Sequence, residues 1–313
     1  MHRGTIPLDD IPGPFDLQST VESGQSYLWD RPDGRMYDES GVHGGDAWYE
    51  TVVRVDGGTA SGASDASSDQ WSEGDPEVLR VRQVDDRLEW ESSTDAEGLL
   101  RDRLRLDDDL DAIRAAAPDD DVIERAFDAY RGMRLVRDPA VPCLISFICS
   151  AQMRVARIHG MQRNLEREFG ETVRFDGDTY RAYPTPEQLA AATEAELRDL
   201  GLGYRAPYVR ETARMVAEGE AHPNEARDME YEAARESLTR FVGVGDKVAD
   251  CVLLFSLDYL EAVPLDTWIR TTIEEYYPDC DRGNYADTSR AIRAALGGEY
   301  AGYTQTYVFH YLR

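Results

Sequence analysis

The sequence predicts an α+β protein, with an N-terminal antiparallel β-sheet domain followed by an all-α region. Three observations carry this reading. Short, partly alternating apolar segments with turn residues between them fill the first part of the chain. From about Ala112 onward the apolar residues recur with a helical period. Strands come first and helices after, without the βαβ alternation of a parallel sheet. The expected division is 1–105 for the β-rich domain and 106–313 for the helical region.

The strand candidates are SYLWD, WYETVVRVDG, VLRVRQVD and RLEWES. Residues 57–77 are mostly Gly, Ser and Asp with little to bury, and predict a flexible acidic insertion between two strands. The helix candidates are DDDVIERAFDAYRGM, PCLISFICSAQMRVARIHGMQRNLEREFG, TPEQLAAATEAELRDLG, YRAPYVRETARMVAEGE, MEYEAARESLTRF, DKVADCVLLFSL and TWIRTTIEEYY. A helix end at Phe241 and a restart near Asp246 predict a helix–hairpin–helix at 238–250.

Composition excludes several classes. No apolar run approaches the ~18 residues a membrane span needs, and the opening MHRGTIPLDD does not read as a signal peptide. The four cysteines, Cys143, Cys149, Cys251 and Cys280, show neither a disulfide ladder nor paired metal spacing. A reduced, cytoplasmic protein is expected. The net charge of −27, from 61 Asp and Glu against 34 Lys and Arg, is unusual. It reads as adaptation to a high-salt cytoplasm, where screening falls to ~3 Å or less. Of the 34 basic residues only Lys247 is a lysine, leaving 33 arginines. An amine can lose its proton and act as a nucleophile, which a guanidinium cannot.

The chemistry gathers at 238–266. Gly243, Val244 and Gly245 form a tight turn before a helix N-terminus, whose N–H groups suit phosphate. An αα-corner with glycines for steric reasons accounts for the turn equally well. Lys247 falls in the first helical turn, where the positive helix end disfavours an ammonium. Cys251 follows at i+4 on the same face, though a small core residue is the plainer reading. Asp266, just past Pro264, fits an N-cap. As a carboxylate facing the lysine it would also stabilise cationic charge.

The motifs GVGDKVADC and AVPLD resemble the hairpin, Gly/Pro-rich loop and aspartate of helix-hairpin-helix DNA glycosylases. Within that superfamily the chain is similar to the eukaryotic type of 8-oxoguanine DNA glycosylase. SGQSYLW at 23–29, FICSAQMRVARIHGM at 147–161, LGLGYRAPYV at 200–209 and YAGYTQTYVF at 300–309 agree with that family in order. The resemblance implies a bifunctional glycosylase/AP lyase, with Lys247 attacking C1′ and Asp266 assisting. It implies a base pocket of Gly24, Cys251, Gln305 and Phe309, and a Tyr204 wedge. It implies opposite-base contacts from Arg157 and Arg205. Ala151, Gln152, Met153 and Arg154 replace the family's Asn-rich stretch, with Gln152 as the substitute contact. Trp268 stands where the family often has His, and Val242 where the hairpin usually has Pro. No cysteine follows Cys280, so no iron–sulfur cluster is expected. The resemblance allows a monovalent cation on the hairpin carbonyls. The expected partner is duplex DNA carrying oxidised guanine, met by a monomer associated with the nucleoid.

Two rivals stay open on the sequence. An alkylpurine glycosylase of the same fold would use the aspartate without a lysine, and a DNA-binding module would use the hairpin alone. The charge generates a prediction independent of them. If 61 carboxylates repel one another in dilute buffer, far-UV circular dichroism should strengthen as KCl rises from about 0.1 to 3 M. A fold complete at the low end would contradict the adaptation reading.

Overall fold

The computed structural model describes residues 1–38, 43–55 and 74–312. Strands β1 (His2–Pro7), β2 (Tyr49–Val55), β3 (Asp75–Val84) and β4 (Arg87–Ser92) form one antiparallel sheet in the order β1-β4-β3-β2. Alternation decides which face is buried. In β4, Leu88, Trp90 and Ser92 turn inward while Arg87, Glu89 and Glu91 are only partly covered. Gly4 of β1 lies opposite Trp90, and a Cβ there would come within 2.4 Å of the indole. The inner face packs with Leu17 and Val21 of α1 (Leu17–Glu22) and Leu100 of α2 (Glu97–Arg103).

Two strand expectations need correction. SYLWD is not a strand; only Asp30 bridges Glu50. Tyr27, Leu28 and Trp29 are buried in succession, so the segment has no solvent face to alternate with. Strand β1 was missed because only Ile6 of its six residues is buried. Of the expected acidic insertion at 57–77, residues 57–73 lie outside the described residues. Asp75, Pro76 and Glu77 already belong to β3, paired with Val55, Arg54 and Val53.

The helical part runs α3 (Leu110–Ala116), α4 (Asp121–Ala129), α5 (Ala140–Cys149), α6 (Val155–Phe169), α7 (Pro186–Ala191), α8 (Glu194–Leu197), α9 (Ala206–Ala217), α10 (Tyr231–Leu238), α11 (Asp246–Ser256), α12 (Thr267–Tyr276), α13 (Tyr285–Ala295) and α14 (Ala301–Leu312). Among the described residues no helix is long and apolar enough to cross a membrane. The region is not purely α. A hairpin of β5 (Thr172–Phe175) and β6 (Asp178–Arg181) interrupts it, turning through Asp176 and Gly177 with φ of 52° and 88°. Asp-Gly is the signal of such a two-residue turn. The run 142–170 breaks into α5 and α6 at a loop where Gln152 has φ 56°. Helix α10 ends at Leu238, three residues before the expected Phe241.

Every residue of α5 is buried, and so is α11 from Val248 to Ser256. These two helices are the centre of the larger apolar core. Helix α14 meets α11 at Gly302, where a Cβ would sit 2.3 Å from Leu254 Cδ1. Buried polar groups tie the segment after α1 and the 105–108 turn to the stretch that leads into α5. The buried Arg134 guanidinium donates to the carbonyls of Arg105 at 2.8 Å and Asp108 at 2.6 Å. Gln25 donates to the Arg134 carbonyl at 2.8 Å and accepts from Val136 N–H at 3.0 Å.

One buried polar node fixes α11 against its neighbours. Asp250 is 0% exposed and accepts from Tyr231 and Tyr285 hydroxyls at 2.7 Å each. The Arg235 guanidinium lies 4.0 Å away. Burial pushes this carboxyl from the ordinary 3.8 up to about 7. The two tyrosine hydrogen bonds and Arg235 pull against that, while Asp246 adds to it. The folded protein thus holds this proton more tightly than the unfolded chain. The node's contribution to stability is full below about pH 4 and is lost as pH rises through about 7. Between pH 5 and 8, the melting temperature of wild type should fall more steeply than that of Asp250→Asn. Parallel slopes would show that Asp250 does not titrate in this range.

Candidate active site

The turn from α10 into α11 is closed by Val244 N–H donating to the Phe241 carbonyl at 3.1 Å. Gly243 has φ 85°, and a Cβ there would lie 2.7 Å from the Tyr208 ring. Both the left-handed backbone and the close approach of α9 require glycine. The Thr212 hydroxyl of α9 donates to the Val242 carbonyl at 3.2 Å. Val244 is buried, whereas Gly243, Gly245 and Asp246 are exposed. The first-turn N–H groups of α11 lack intrahelical acceptors, and the turn that leads into them is at the surface.

Lys247 is half-buried in that first turn. Its Nζ donates to Ser150 Oγ at 2.9 Å and lies 5.5 Å from the centre of the Phe147 ring. Ser150 is the C-cap of α5, and its own hydroxyl donates to the Phe147 carbonyl at 2.7 Å. That bond uses the hydroxyl proton and leaves a lone pair for the amine. The fold thus sets the lysine between two helix ends. The N-terminus of α11 disfavours positive charge and the C-terminus of α5 favours it. Only the first of these was visible in the sequence.

Cys251, one turn along α11, is buried. Burial pushes its thiol up to about 12; Lys247 draws it down through charge and a hydrogen bond, and Asp266 raises it again. Asp266 is half-buried and caps α12, its Oδ1 accepting from Ile269 N–H at 2.8 Å. The N-cap reading of this residue is correct. The lysine's contacts are a hydroxyl, a thiol and an aromatic ring.

Gln305 and Phe309 share one face of α14 with Gly302, at i, i+3 and i+7. Lys247, Cys251 and Leu254 share one face of α11 at i, i+4 and i+7. The two stripes meet at Gly302 and Leu254. Gln305 is buried, and its Oε1 accepts no hydrogen bond from the described residues. An unspent acceptor inside a core costs about 1–3 kcal/mol, which a bound ligand would relieve. Phe309 is half-buried at the margin of the same core. Gly24 has φ 91° and precedes the buried Gln25, whose amide also donates to Ser23 Oγ at 2.8 Å.

Tyr204 is 57% exposed, with the Arg205 guanidinium 4.3 Å from its ring centre. Arg205 itself is buried and donates to the Ala151 carbonyl. It braces the 150–154 loop rather than standing free. Gln152 and Arg157 are exposed. So are Arg154 and Arg210, and these three arginines have no ion-pair or hydrogen-bond partner for their guanidinium groups among the described residues. Elsewhere arginines are largely neutralised, as Arg214 is by Glu211, Glu218 and Glu220. Trp268 is 51% exposed, one residue beyond the first of α12. Among the described residues no cluster of three His, Cys, Asp or Glu side chains could hold a metal.

Four supporting residues escaped the sequence reading: Gln25, Ser150, Asp250 and Tyr285. Gln25 and Ser150 lie inside quoted motifs, where their residue types alone do not reveal a role. Tyr285 lies in no motif and becomes relevant only through its contact with Asp250.

Residues 145–296 match the model of the HhH-GPD superfamily base excision DNA repair proteins. A probable N-glycosylase/DNA lyase of Methanothermobacter thermautotrophicus is 36% identical over 217 residues, 62% of this chain and 68% of that protein. The N-glycosylase/DNA lyase of Saccharomyces cerevisiae is 39% identical over 178 residues. The match spans 53% of this chain and about half, 47%, of the yeast protein. A structure of MBOgg1 with a low-affinity DNA ligand superposes with a TM-score of 0.79 at 25% identity, covering 99% of this chain and 94% of that one. The hairpin, the lysine in its second helix and the capping aspartate fall within the matched region, and the chain belongs to the HhH-GPD superfamily of base excision DNA repair proteins.

Proposed function

We propose that the protein is a bifunctional DNA glycosylase/AP lyase that excises 8-oxoguanine from duplex DNA. The observation that carries this reading is the chain's sole lysine, held in the first turn of the hairpin's second helix by Ser150 Oγ at 2.9 Å, one turn before Cys251. The exposed Gly243 and Gly245 of the turn and the exposed Arg154 and Arg157 beyond Ser150 are residues suited to a phosphate backbone.

The chemistry follows from those groups. With its proton gone, Lys247 Nζ attacks C1′ of the damaged nucleotide. The C1′–N9 bond breaks and its electron pair leaves with the base, which takes up a proton. Asp266 stabilises the positive charge that develops on the sugar. Opening of the sugar ring leaves a Schiff base between Nζ and C1′. Loss of a C2′ proton then expels the 3′ phosphate by β-elimination.

In this reading the extruded base lies between Phe309 and Cys251. The free Gln305 Oε1 accepts from its Watson–Crick edge, and the Gly24 carbonyl accepts the N7–H that guanine lacks. Tyr204 fills the gap in the duplex. Gln152 and Arg157 face the opposite base; Arg205 joins them only by leaving the Ala151 carbonyl. The hairpin's carbonyls are hard donors suited to a monovalent cation, which would lend positive charge at the backbone. The acidic surface suits a monomer working on DNA in high salt. An alkylpurine glycosylase does not require the amine, and a binding module does not require the amine, Asp266 or an unspent acceptor in a core.

The test is a panel of duplexes carrying 8-oxoguanine, an abasic site or an alkylated purine. Wild type should release 8-oxoguanine and cut at the abasic site. Gln305→Ala and Phe309→Ala should each lose roughly 5- to 150-fold in base release, the worth of about 1–3 kcal/mol of base contact. Both should keep abasic cleavage. Equal losses on both substrates would reduce these residues to fold support. Release of alkylpurine in preference to 8-oxoguanine would replace the reading with its rival.

A further inference from the structure

The node at Asp250 does more than anchor a helix. Its Oδ2 accepts from the Tyr285 hydroxyl at 2.7 Å, and that hydroxyl in turn accepts from Leu265 N–H at 3.1 Å. The hydroxyl has one proton. Because it is spent on Asp250, a lone pair must face the Leu265 amide. Leu265 immediately precedes Asp266, whose own N–H donates to the Pro264 carbonyl at 2.9 Å. Asp266 also begins α12 through its cap on Ile269. Asp250 itself stands three residues after Lys247 on α11. A continuous path therefore runs from the helix that bears the lysine, through Asp250 and Tyr285, to the backbone that bears Asp266.

We propose that Asp250 and Tyr285 are positioning residues for this site: together they hold the Asp266 loop at a fixed distance from the helix carrying Lys247. The inference rests on the glycosylase/lyase reading above. Stability alone is a poor account of the arrangement. A wholly buried carboxylate is costly to desolvate, and apolar residues of like volume often serve a core as well or better. What the carboxylate supplies is direction. Its second oxygen is committed to Tyr231 at 2.7 Å, and Arg235 at 4.0 Å offsets its charge. The remaining oxygen can orient one hydroxyl, and that hydroxyl holds the residue before Asp266. Without it, the 264–266 turn keeps Asp266 N–H on Pro264 but loses its tie to α13.

Tyr285→Phe isolates this role. It keeps the ring, over which the Arg235 and Arg270 guanidinium groups lie at 5.3 and 5.8 Å, and removes only the hydroxyl. Single-turnover release of 8-oxoguanine should slow roughly 10- to 100-fold, the scale of loss from about 1 Å of misplacement at a reacting centre. The dissociation constant for a duplex carrying a tetrahydrofuran abasic analogue should stay within about twofold, and far-UV circular dichroism at the assay temperature should match wild type, although the urea midpoint falls because a buried hydrogen bond is lost. In an Asp266→Asn background, Tyr285→Phe should slow the residual rate by less than about twofold, because the residue it positions is already gone. An unchanged rate in Tyr285→Phe would overturn the inference. So would a full multiplicative loss in the Asp266→Asn background, or a rate loss matched by lost affinity. A wild-type protein inactive on both 8-oxoguanine and abasic duplexes would instead overturn the proposed function, and the positioning role with it.

Discussion

The site depends on the burial of α11. From Val248 to Ser256 this helix has no solvent face, so packing around its whole circumference fixes its rotation and its depth. Only its N-terminal turn emerges, and Lys247 is the residue at the boundary. The opposing α5 is buried along its entire length and ends at Ser150, which receives the lysine's hydrogen bond. A long flexible side chain is thus brought to one place by two helices that cannot turn. The Gly302 contact with Leu254 then brings α14, with its Gln305 and Phe309, onto the same helix. The lysine, the cysteine and the α14 face with Gln305 and Phe309 are placed by contacts with this one buried element.

A protein with a net charge of −27 meets an obstacle in binding a polyanion. The distribution of arginine eases it. Most arginines of the sheet and the outer helices are tied to carboxylates, as in the Arg82–Glu89 and Arg290–Glu232 pairs at 2.7 and 2.6 Å. Arg154 and Arg157 are exposed in and just after the 150–154 loop, whose Ser150 bonds Lys247, without such partners among the described residues. Contacts that survive high salt must be short-range. Turn amides, an exposed tyrosine and an apolar pocket margin are groups of that kind.

The residues proposed to carry chemistry are legible because their types are few and their spacing is short. A lone lysine at a helix start, a cysteine at i+4 and an aspartate after a proline can be read from neighbouring positions. The Asp-Gly turn of β5–β6 is equally legible, but it lies within a stretch whose surroundings read as helical. Strand β1 was not legible, since one buried isoleucine gives no alternation. The Asp250–Tyr285–Leu265 path was hidden for a different reason. It joins residues 35 apart and then 20 apart in sequence, and no local pattern records which buried tyrosine meets which carboxylate. Arg205 shows the converse. The family resemblance implies a base reader at this position, while its guanidinium is engaged within the protein. Motif reading names a residue; the packing around it decides whether its functional group is available.

The central claim is that the Lys247 amine forms the covalent intermediate. Its direct test is borohydride reduction during turnover on an abasic or 8-oxoguanine duplex, followed by peptide mass mapping of the crosslinked protein. With one lysine in the chain, the account predicts a single DNA-bearing peptide containing Lys247, and no trapping in Lys247→Gln. An adduct on the Met1 amine, or undiminished trapping in that variant, would contradict it.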